Sequence, residues 1–274
     1  MITVVIATKN GSAYIQRALD SIYKQSVTRS DSPSFDPHFK VRVVSDGSTD
    51  STDSIVHEHI IKEPRTTLIS LKHSVGPGKA RNLAILGGTT EDGTGIEPID
   101  ETLSPYIAFL DDDDMWKSEI KLERQLMFLN SNPSVFVVGS DTTEFRDERG
   151  TVLKTIKSPI DPISIKNNIL SYNPLITSSV VCRTDIFKTL GGFKPMFLAE
   201  DYDLWLRIGQ TGNISNVNHS DIIYTVRQKS ASNSRRVEMA KTVLYLVKEY
   251  RYTYPGYVKA LLKAYARLLL SYIK

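Results

Sequence analysis

Tyr106-Ile107-Ala108-Phe109-Leu110-Asp111-Asp112-Asp113-Asp114-Met115-Trp116 carries the first clue to the architecture and chemistry of this chain. Five mostly apolar residues run into four consecutive carboxylates. The apolar run has the length and composition of a buried strand. Four like charges at the end of such a strand repel one another unless something positive sits among them. A solvated loop or a helix N-terminus also accommodates acids, but neither calls for an apolar strand in front. Oxygen donors suit magnesium or manganese, and magnesium is commonly held by one or two carboxylates plus substrate phosphates. The stretch is therefore read as a strand end that grips a divalent cation and a diphosphate. Asp114, the last acid, reads as a cap for the helix that follows, whose apolar face is Leu122, Leu126 and Leu129.

Outward from this stretch, the first half of the chain alternates two periodicities. Ile2 to Ala7 is a β-branched run, and Ile15, Leu19 and Ile22 then fall on one helix face. Val41 to Val44 reads as a second strand, 51–62 as a helix, Thr67 to Leu71 as a third strand and Ala80 to Leu86 as a helix. A Ser/Pro/Asp-rich loop is expected over 28–38 and a polar insertion over 87–104. The order predicts an α/β fold with a mostly parallel sheet flanked by helices on both faces. Ligands of such sheets bind beyond the carboxyl ends of the strands, where the acidic run lies. The second half is less regular: Val135 to Gly139, Ser178 to Cys182 and Ile222 to Val226 read as strands, and Leu204 to Ile208 as the beginning of a helix. From Arg235 onward the pattern is helical, interrupted at Pro255-Gly256.

Composition narrows the class. A chain of 274 residues that is 41% apolar has ample material for a core. A single cysteine, Cys182, excludes an intramolecular disulfide and reads as core. Met1 to Ile6 is too short, and lacks the basic flank, for a secretory signal. No apolar run approaches the length of a membrane span. The expected location is cytoplasmic, with peripheral contact at the inner face of the cell membrane. That contact is suggested by residues 235–274, where nine Lys/Arg face only two acids although the whole chain is net +3. An ordinary helical cap over the catalytic domain explains the tail equally well. No nucleic-acid motif is visible.

Five segments fall in a telling order: Val5-Ile6-Ala7-Thr8-Lys9-Asn10, Val43 to Asp50 (VVSDGSTD), Gly76-Pro77-Gly78-Lys79-Ala80-Arg81-Asn82, Phe109 to Trp116, and Gly191-Gly192-Phe193 leading to Glu200-Asp201-Tyr202-Asp203. Together they resemble the inverting family 2 glycosyltransferases of GT-A (Rossmann-like) fold, over about residues 1–232. The resemblance implies a glycosyltransferase domain at 1–232, divided into a nucleotide-sugar half (1–114) and an acceptor half (115–232), with a helical extension at 233–274. Ala7, Thr8 and Asn10 would line the nucleotide, and Asp46 would accept a hydrogen bond from its base. Gly76 and Arg81 would lie beside the diphosphate. Asp111 and Asp113 match the family's Asp-x-Asp motif. By that resemblance Asp113 would be the direct ligand of Mn2+ or Mg2+, Asp111 would face the ribose or the metal, and Asp112 would lie between them in the nucleotide site. Asp201 would be the general base. Arg227 stands where family members often carry a histidine, which puts a third metal ligand in doubt; it is assigned instead to the diphosphate. Trp205 reads as core.

The implied activity is transfer of a sugar from a nucleoside diphosphate sugar, expected to be a UDP-sugar, to a hydroxyl of a glycan or lipid-linked acceptor in surface polysaccharide synthesis. A nucleotidyltransferase is the rival enzyme class, but its first loop is typically Gly-rich and basic, unlike Ala-Thr-Lys-Asn-Gly. A non-catalytic nucleotide- or glycan-binding module is the third reading, and turnover separates it from the first.

Overall fold

The structure is a computed structural model that describes residues 1–25, 39–196, 198–227 and 234–273. The loop expected at 28–38 lies outside these residues. The first part alternates as expected: β1 (Ile2–Thr8), α1 (Ile15–Tyr23), β2 (Phe39–Asp46), α2 (Thr52–Lys62), β3 (Thr66–Leu71) and α3 (Pro77–Leu86). The 87–104 insertion carries a small hairpin, β4 (Gly88–Thr89) and β5 (Gly95–Ile96). Then come β6 (Tyr106–Phe109), β7 (Met115–Trp116), α4 (Lys121–Ser131), β8 (Val135–Asp147), β9 (Val152–Lys157) and α5 (Pro162–Asn168). The second half closes with β10 (Val181–Arg183), α6 (Thr184–Thr189), α7 (Glu200–Thr211), β11 (Asn213–Val226), α8 (Arg236–Glu249) and α9 (Tyr257–Ile273).

The main sheet has the order β3-β2-β1-β6-β10-β8-β11-β7, with β9 on β8. Its first four strands are parallel, with β1 at the centre between β2 and β6. Side chains on β1 alternate between two cores. Ile2, Val4 and Ile6 pack beneath α1, α2 and α4, while Val5 faces the layer of α3, α6 and α7. A strand buried on both faces explains the unbroken apolar run that marked it in the sequence.

The second half departs from a simple parallel sheet. β10 is antiparallel to both β6 and β8, and β7 is antiparallel to β11. The strand expected at 178–182 is in fact a 3-10 turn at Thr177–Ser179 followed by β10. The strand at 135–139 runs on to Asp147, and the one at 222–226 begins at Asn213. These extensions were hidden because Ser140, Asp141, Thr143 and Asn216 are polar yet buried, so they break the apolar period without breaking the strand.

One expectation fails at the acidic run. Asp114 does not cap a helix, because β7 intervenes and α4 starts only at Lys121. Its Oδ1 accepts from the backbone N–H of Thr225 on β11 (2.8 Å), and its Oδ2 accepts from the Ser178 hydroxyl (2.5 Å). The acid pins the parallel half of the sheet to the long strand. Trp205 is fully buried against Phe109, as expected for core, and Cys182 is buried as well. Among the described residues no helix is long and apolar enough to cross a membrane.

Lys121 is an unusual core member. It is fully buried, its ammonium lies 4.3 Å from the centre of the Trp116 ring, and it donates to Gln125 Oε1 at 2.7 Å. Burial pushes its pKa down to about 7. An unfolded lysine titrates near ~10.4. Between the two values the unfolded chain binds the extra proton, so stability rises with pH across that window. Lys121→Met should therefore stabilise the protein most at pH 6–7, and its advantage over wild type should shrink as pH rises toward 10, by at most about 1.4 kcal/mol per unit. Urea unfolding of both proteins at pH 6.5, 8 and 9.5 tests this; an advantage that does not change with pH refutes it.

Candidate active site

The first-half motifs all end on the same rim of the sheet, as parallel strands require. Thr8 ends β1, Asp46 ends β2, and Asp111 to Asp114 follow β6. Thr8 and Asp112 meet directly, with the hydroxyl donating to Asp112 Oδ2 at 2.6 Å. Gly11 lies against this pair. A Cβ there would stand 2.2 Å from Asp112 Oδ2 and 2.3 Å from Thr8 Oγ1, so only glycine fits. Sequence reading passed over Gly11, since the clash involves an acid a hundred residues away.

Asn10 has a left-handed backbone, φ 53°, a region asparagine tolerates better than most residues. Its Oδ1 accepts from the Thr49 N–H at 2.8 Å, and its own N–H donates to Ser48 Oγ at 3.1 Å. The loops after β1 and β2 are thereby locked together. Asp46 is buried, and its Oδ1 accepts from the Val75 N–H (2.7 Å). Its Oδ2 accepts from the Ser74 hydroxyl (2.7 Å) and the Gly76 N–H (3.0 Å). Asp46 thus moulds the turn that leads into α3, which was not foreseen. Gly76, with φ 90°, stands just before Pro77 and starts that helix.

Arg81 on α3 is the hub of the site. Its side chain is almost wholly buried, one Nη donates to Asp111 Oδ1 at 2.6 Å, and the other donates to Glu200 Oε1 at 3.1 Å. The first acid of the 111–114 run and the first acid of the Glu200-Asp201-Tyr202-Asp203 segment are thus bridged by one guanidinium. The Gly-Gly-Phe turn is tied to the same helix: Asn82 Nδ2 donates to the Phe193 carbonyl (2.7 Å), and Asn82 Oδ1 accepts from the Phe193 N–H (2.9 Å).

The remaining acids have separate environments. Asp113 Oδ2 pairs with Arg227 Nε at 2.5 Å, and the Arg227 guanidinium reaches within 3.9 Å of Asp112 Oδ1 and stacks 5.2 Å from the Tyr14 ring. Burial, reinforced by the Asp112 charge, raises the Asp113 pKa to about 7 even against Arg227. Burial also pushes the Asp112 and Asp114 carboxyls up. Glu200 is raised to about 7, by burial in spite of Arg81 and with the help of neighbouring Asp201.

Asp201 sits in the first turn of α7, just after Ala199 in left-handed conformation. Its Oδ2 accepts from Asn173 Nδ2 and from the Thr177 hydroxyl, both at 3.0 Å, and burial raises its pKa. Neither partner was read from the sequence, because 173–179 lacks periodicity. Asp203 is structural: it accepts from Arg207 Nε (2.7 Å), Lys194 Nζ (3.2 Å) and the Tyr250 hydroxyl of the C-terminal segment (3.1 Å).

Among the described residues, no three His, Cys, Asp or Glu side chains converge into a ready-made metal cage. A magnesium-type ion needs none, since it relies on one or two carboxylates with waters and phosphates. Asp111 has one oxygen on Arg81 and Asp113 one on Arg227. Each keeps its second oxygen, so the donor chemistry fits a hard divalent cation.

The family profile described as Glycosyl transferase family 2 matches residues 3–183. Among curated relatives, the Escherichia coli UDP-Glc:alpha-D-GlcNAc-diphosphoundecaprenol beta-1,3-glucosyltransferase WfgD is 25% identical, over 88% of this chain and 83% of its own. The putative teichuronic acid biosynthesis glycosyltransferase TuaG of Bacillus subtilis is 29% identical, over 50% of this chain and 44% of its own, so the match spans under half of that relative. In three dimensions the chain is similar to S. aureus TarS in complex with UDP-GlcNAc, with a TM-score of 0.67 at 20% identity over 97% of this chain and 72% of that one. It is also similar to the mannosyltransferase of Pyrobaculum calidifontis in complex with GDP-Man and Mn2+, with a TM-score of 0.62 at 19% identity, covering 99% and 75%.

The Arg81 bridge has a direct consequence for stability. Arg81→Met leaves Asp111 and Glu200 facing each other without their cation, and breaking a buried pair in this way costs about 3–5 kcal/mol. Arg81→Lys should recover only part of this, because an ammonium does not reproduce a fork that spans two carboxylates. Denaturant unfolding of the three proteins checks the order. A methionine variant as stable as wild type refutes it.

Proposed function

This chain belongs to glycosyl transferase family 2, and from that premise we propose that it moves a sugar from a UDP-sugar to a hydroxyl of a lipid-linked or growing glycan acceptor, with inversion at the anomeric carbon. The observation that carries the reading is the Arg81 bridge. It sets the acids that follow β6 beside the start of α7, whose next residue is Asp201. A donor-side acid cluster and an acceptor-side carboxylate are what such a transfer requires.

In this reading the nucleotide lies across the loops after β1 and β2. Ala7, Thr8 and Asn10 support base and ribose, and Asp46 adds a contact to the base with the acceptor capacity its loop leaves open. Asp112, fixed by Thr8, borders the ribose side. Gly76 lets the backbone approach the diphosphate closely. Asp113 and Asp111 would hold Mn2+ or Mg2+, which when bound supplies Lewis-acid stabilisation of the departing diphosphate. Arg227 turns its guanidinium from the acids to the diphosphate once a donor is present. Asp201 accepts the proton of the acceptor hydroxyl. The hydroxyl oxygen bonds to the anomeric carbon as the bond from that carbon to the nucleoside diphosphate breaks. The raised pKa of Asp201 suits a base, and its bonds from Asn173 and Thr177 aim the carboxylate.

Support for the donor and acceptor classes comes from what the relatives bind and use: UDP-GlcNAc in TarS, and UDP-Glc with a diphosphoundecaprenol-linked sugar in WfgD. A lipid-linked acceptor places the work at the inner face of a membrane. The enzyme domain is assigned to residues 1–232 and the helical extension to 233–274.

Asp201→Asn should lower kcat by 10^3-fold or more while leaving nucleotide affinity within about threefold, since the amide keeps the bonds but cannot take a proton. Single-turnover assays with titration calorimetry separate the two effects. Equal loss of binding and turnover would remove Asp201 from its role. Thermal shifts with a panel of nucleotide sugars, with and without manganese, test donor class and metal need together. Arg227→Ala should weaken donor binding more than metal binding, and calorimetry with each ligand separately decides that; equal losses contradict it. Turnover in any of these assays sets the chain apart from a binding module.

A further inference from the structure

The C-terminal segment divides into two helices with different surroundings. α8 is docked: Tyr250 reaches Asp203, and the Tyr254 hydroxyl just beyond α8 donates to the Leu206 carbonyl of α7 at 2.6 Å. α9 leans on α8 through Ala260 and Ala264, both buried. Its outer side is largely open to water. Val258, Leu262, Leu269 and Ile273 are 66–80% exposed, and Tyr265, 42% exposed, lies among them with the Lys248 ammonium of α8 5.3 Å from its ring. Spacings of three and four residues put all five in one row down the helix. Lys259, Lys263 and Arg267 form a parallel row beside them, and α9 contains no acid at all.

We propose that α9 is a bilayer-binding helix that lies flat on a membrane surface rich in anionic lipid. Three features select this occupant. An apolar row flanked by basic residues is the pattern of an interfacial helix, with the row in the acyl boundary and the cations among headgroups. Tyr265, Tyr272 and the turn residue Tyr252, which is 89% exposed and stacked on Arg251 at 4.5 Å, supply rings suited to the interface. A second copy of the chain is disfavoured, since a symmetric contact through α9 would oppose two basic rows with no acids on the helix to pair with them. A groove of about 410 Å³ runs between α8, α9 and Ser171-Tyr172, and the next residue in the chain, Asn173, donates to Asp201.

The surface deepens the lipid-linked acceptor reading but is measured without turnover, so the two fail separately. Sedimentation with vesicles of phosphatidylcholine, with or without one quarter phosphatidylglycerol, is the test, in low and high salt. The expected result is binding only to the anionic vesicles at 50 mM salt, weakened at least tenfold at 500 mM. Leu262→Glu/Leu269→Glu and Lys259→Glu/Lys263→Glu should each lower it at least tenfold, with unfolding temperature and UDP binding preserved as proof of folding. Absence of binding at low salt overturns the proposal, as does binding that neither variant changes. A solution mass twice that of the chain, reverting to monomer in Leu262→Glu/Leu269→Glu, also overturns it by identifying a second copy as the occupant.

Discussion

A single guanidinium holds this site together. Arg81 lies almost wholly out of water with a carboxylate on each side. A buried arginine is costly unless both its charge and its donors are answered. Asp111 follows β6 and Glu200 opens α7, so the two carboxylates that pair with the Arg81 Nη groups lie about ninety positions apart in the chain. The arginine therefore fixes the distance between the acids that follow β6 and the start of α7. Its planar fork, unlike an ammonium, does so with defined direction. The dependence runs both ways, since Asp111 and Glu200 could not approach each other so closely without it.

The rest of the acidic run follows the same rule. Four adjacent carboxylates are tolerated because each leans on a different partner: Asp111 on Arg81, Asp112 on Thr8, Asp113 on Arg227, and Asp114 on Ser178 and Thr225 N–H. The acids thus serve unequal ends. Asp114 is wholly buried and ties two parts of the sheet together, while Asp111 and Asp113 each have one oxygen outside their pairs with arginine. The raised pKa values in the cluster express the remaining strain of holding negative charge in a dry place. In the proposed reading, a divalent cation bound there would relieve that strain.

What was legible in the sequence was what alternates or repeats. The parallel strands and the helices between them announced themselves through β-branched runs and helical spacing, and the rim position of the acids followed from topology. The polar strands β8 and β11 did not, because buried Ser140, Asp141 and Asn216 look like loop residues until their partners are known. Asp114 was misread for a related reason: an acid before a helix looks like a cap, and only the fold shows β7 in between. Asn173, Thr177, Ser178 and Gly11 were also out of reach. Each acquires its role from an atom distant in sequence, and no local period encodes that.

The extension beyond β11 shows how one segment answers two needs. Gly209 on α7 leaves room for the Tyr254 hydroxyl, which would stand 2.5 Å from a Cβ at that position. Close approach of this kind, with Tyr250 on Asp203, makes α8 a fixed part of the layer over Trp205 and Leu206. A cap alone explains that helix. It does not explain α9, which buries little beyond two alanines and leaves its larger apolar residues in water. Exposed leucines in a row are costly to solubility unless something covers them. In the proposed reading the basic row alongside them gives the covering surface a sign, and the docking of the α8 region on α7 fixes where α9 meets it. Of the two explanations the sequence left for one basic tail, a helical cap describes α8, and the proposed charged surface concerns α9 alone.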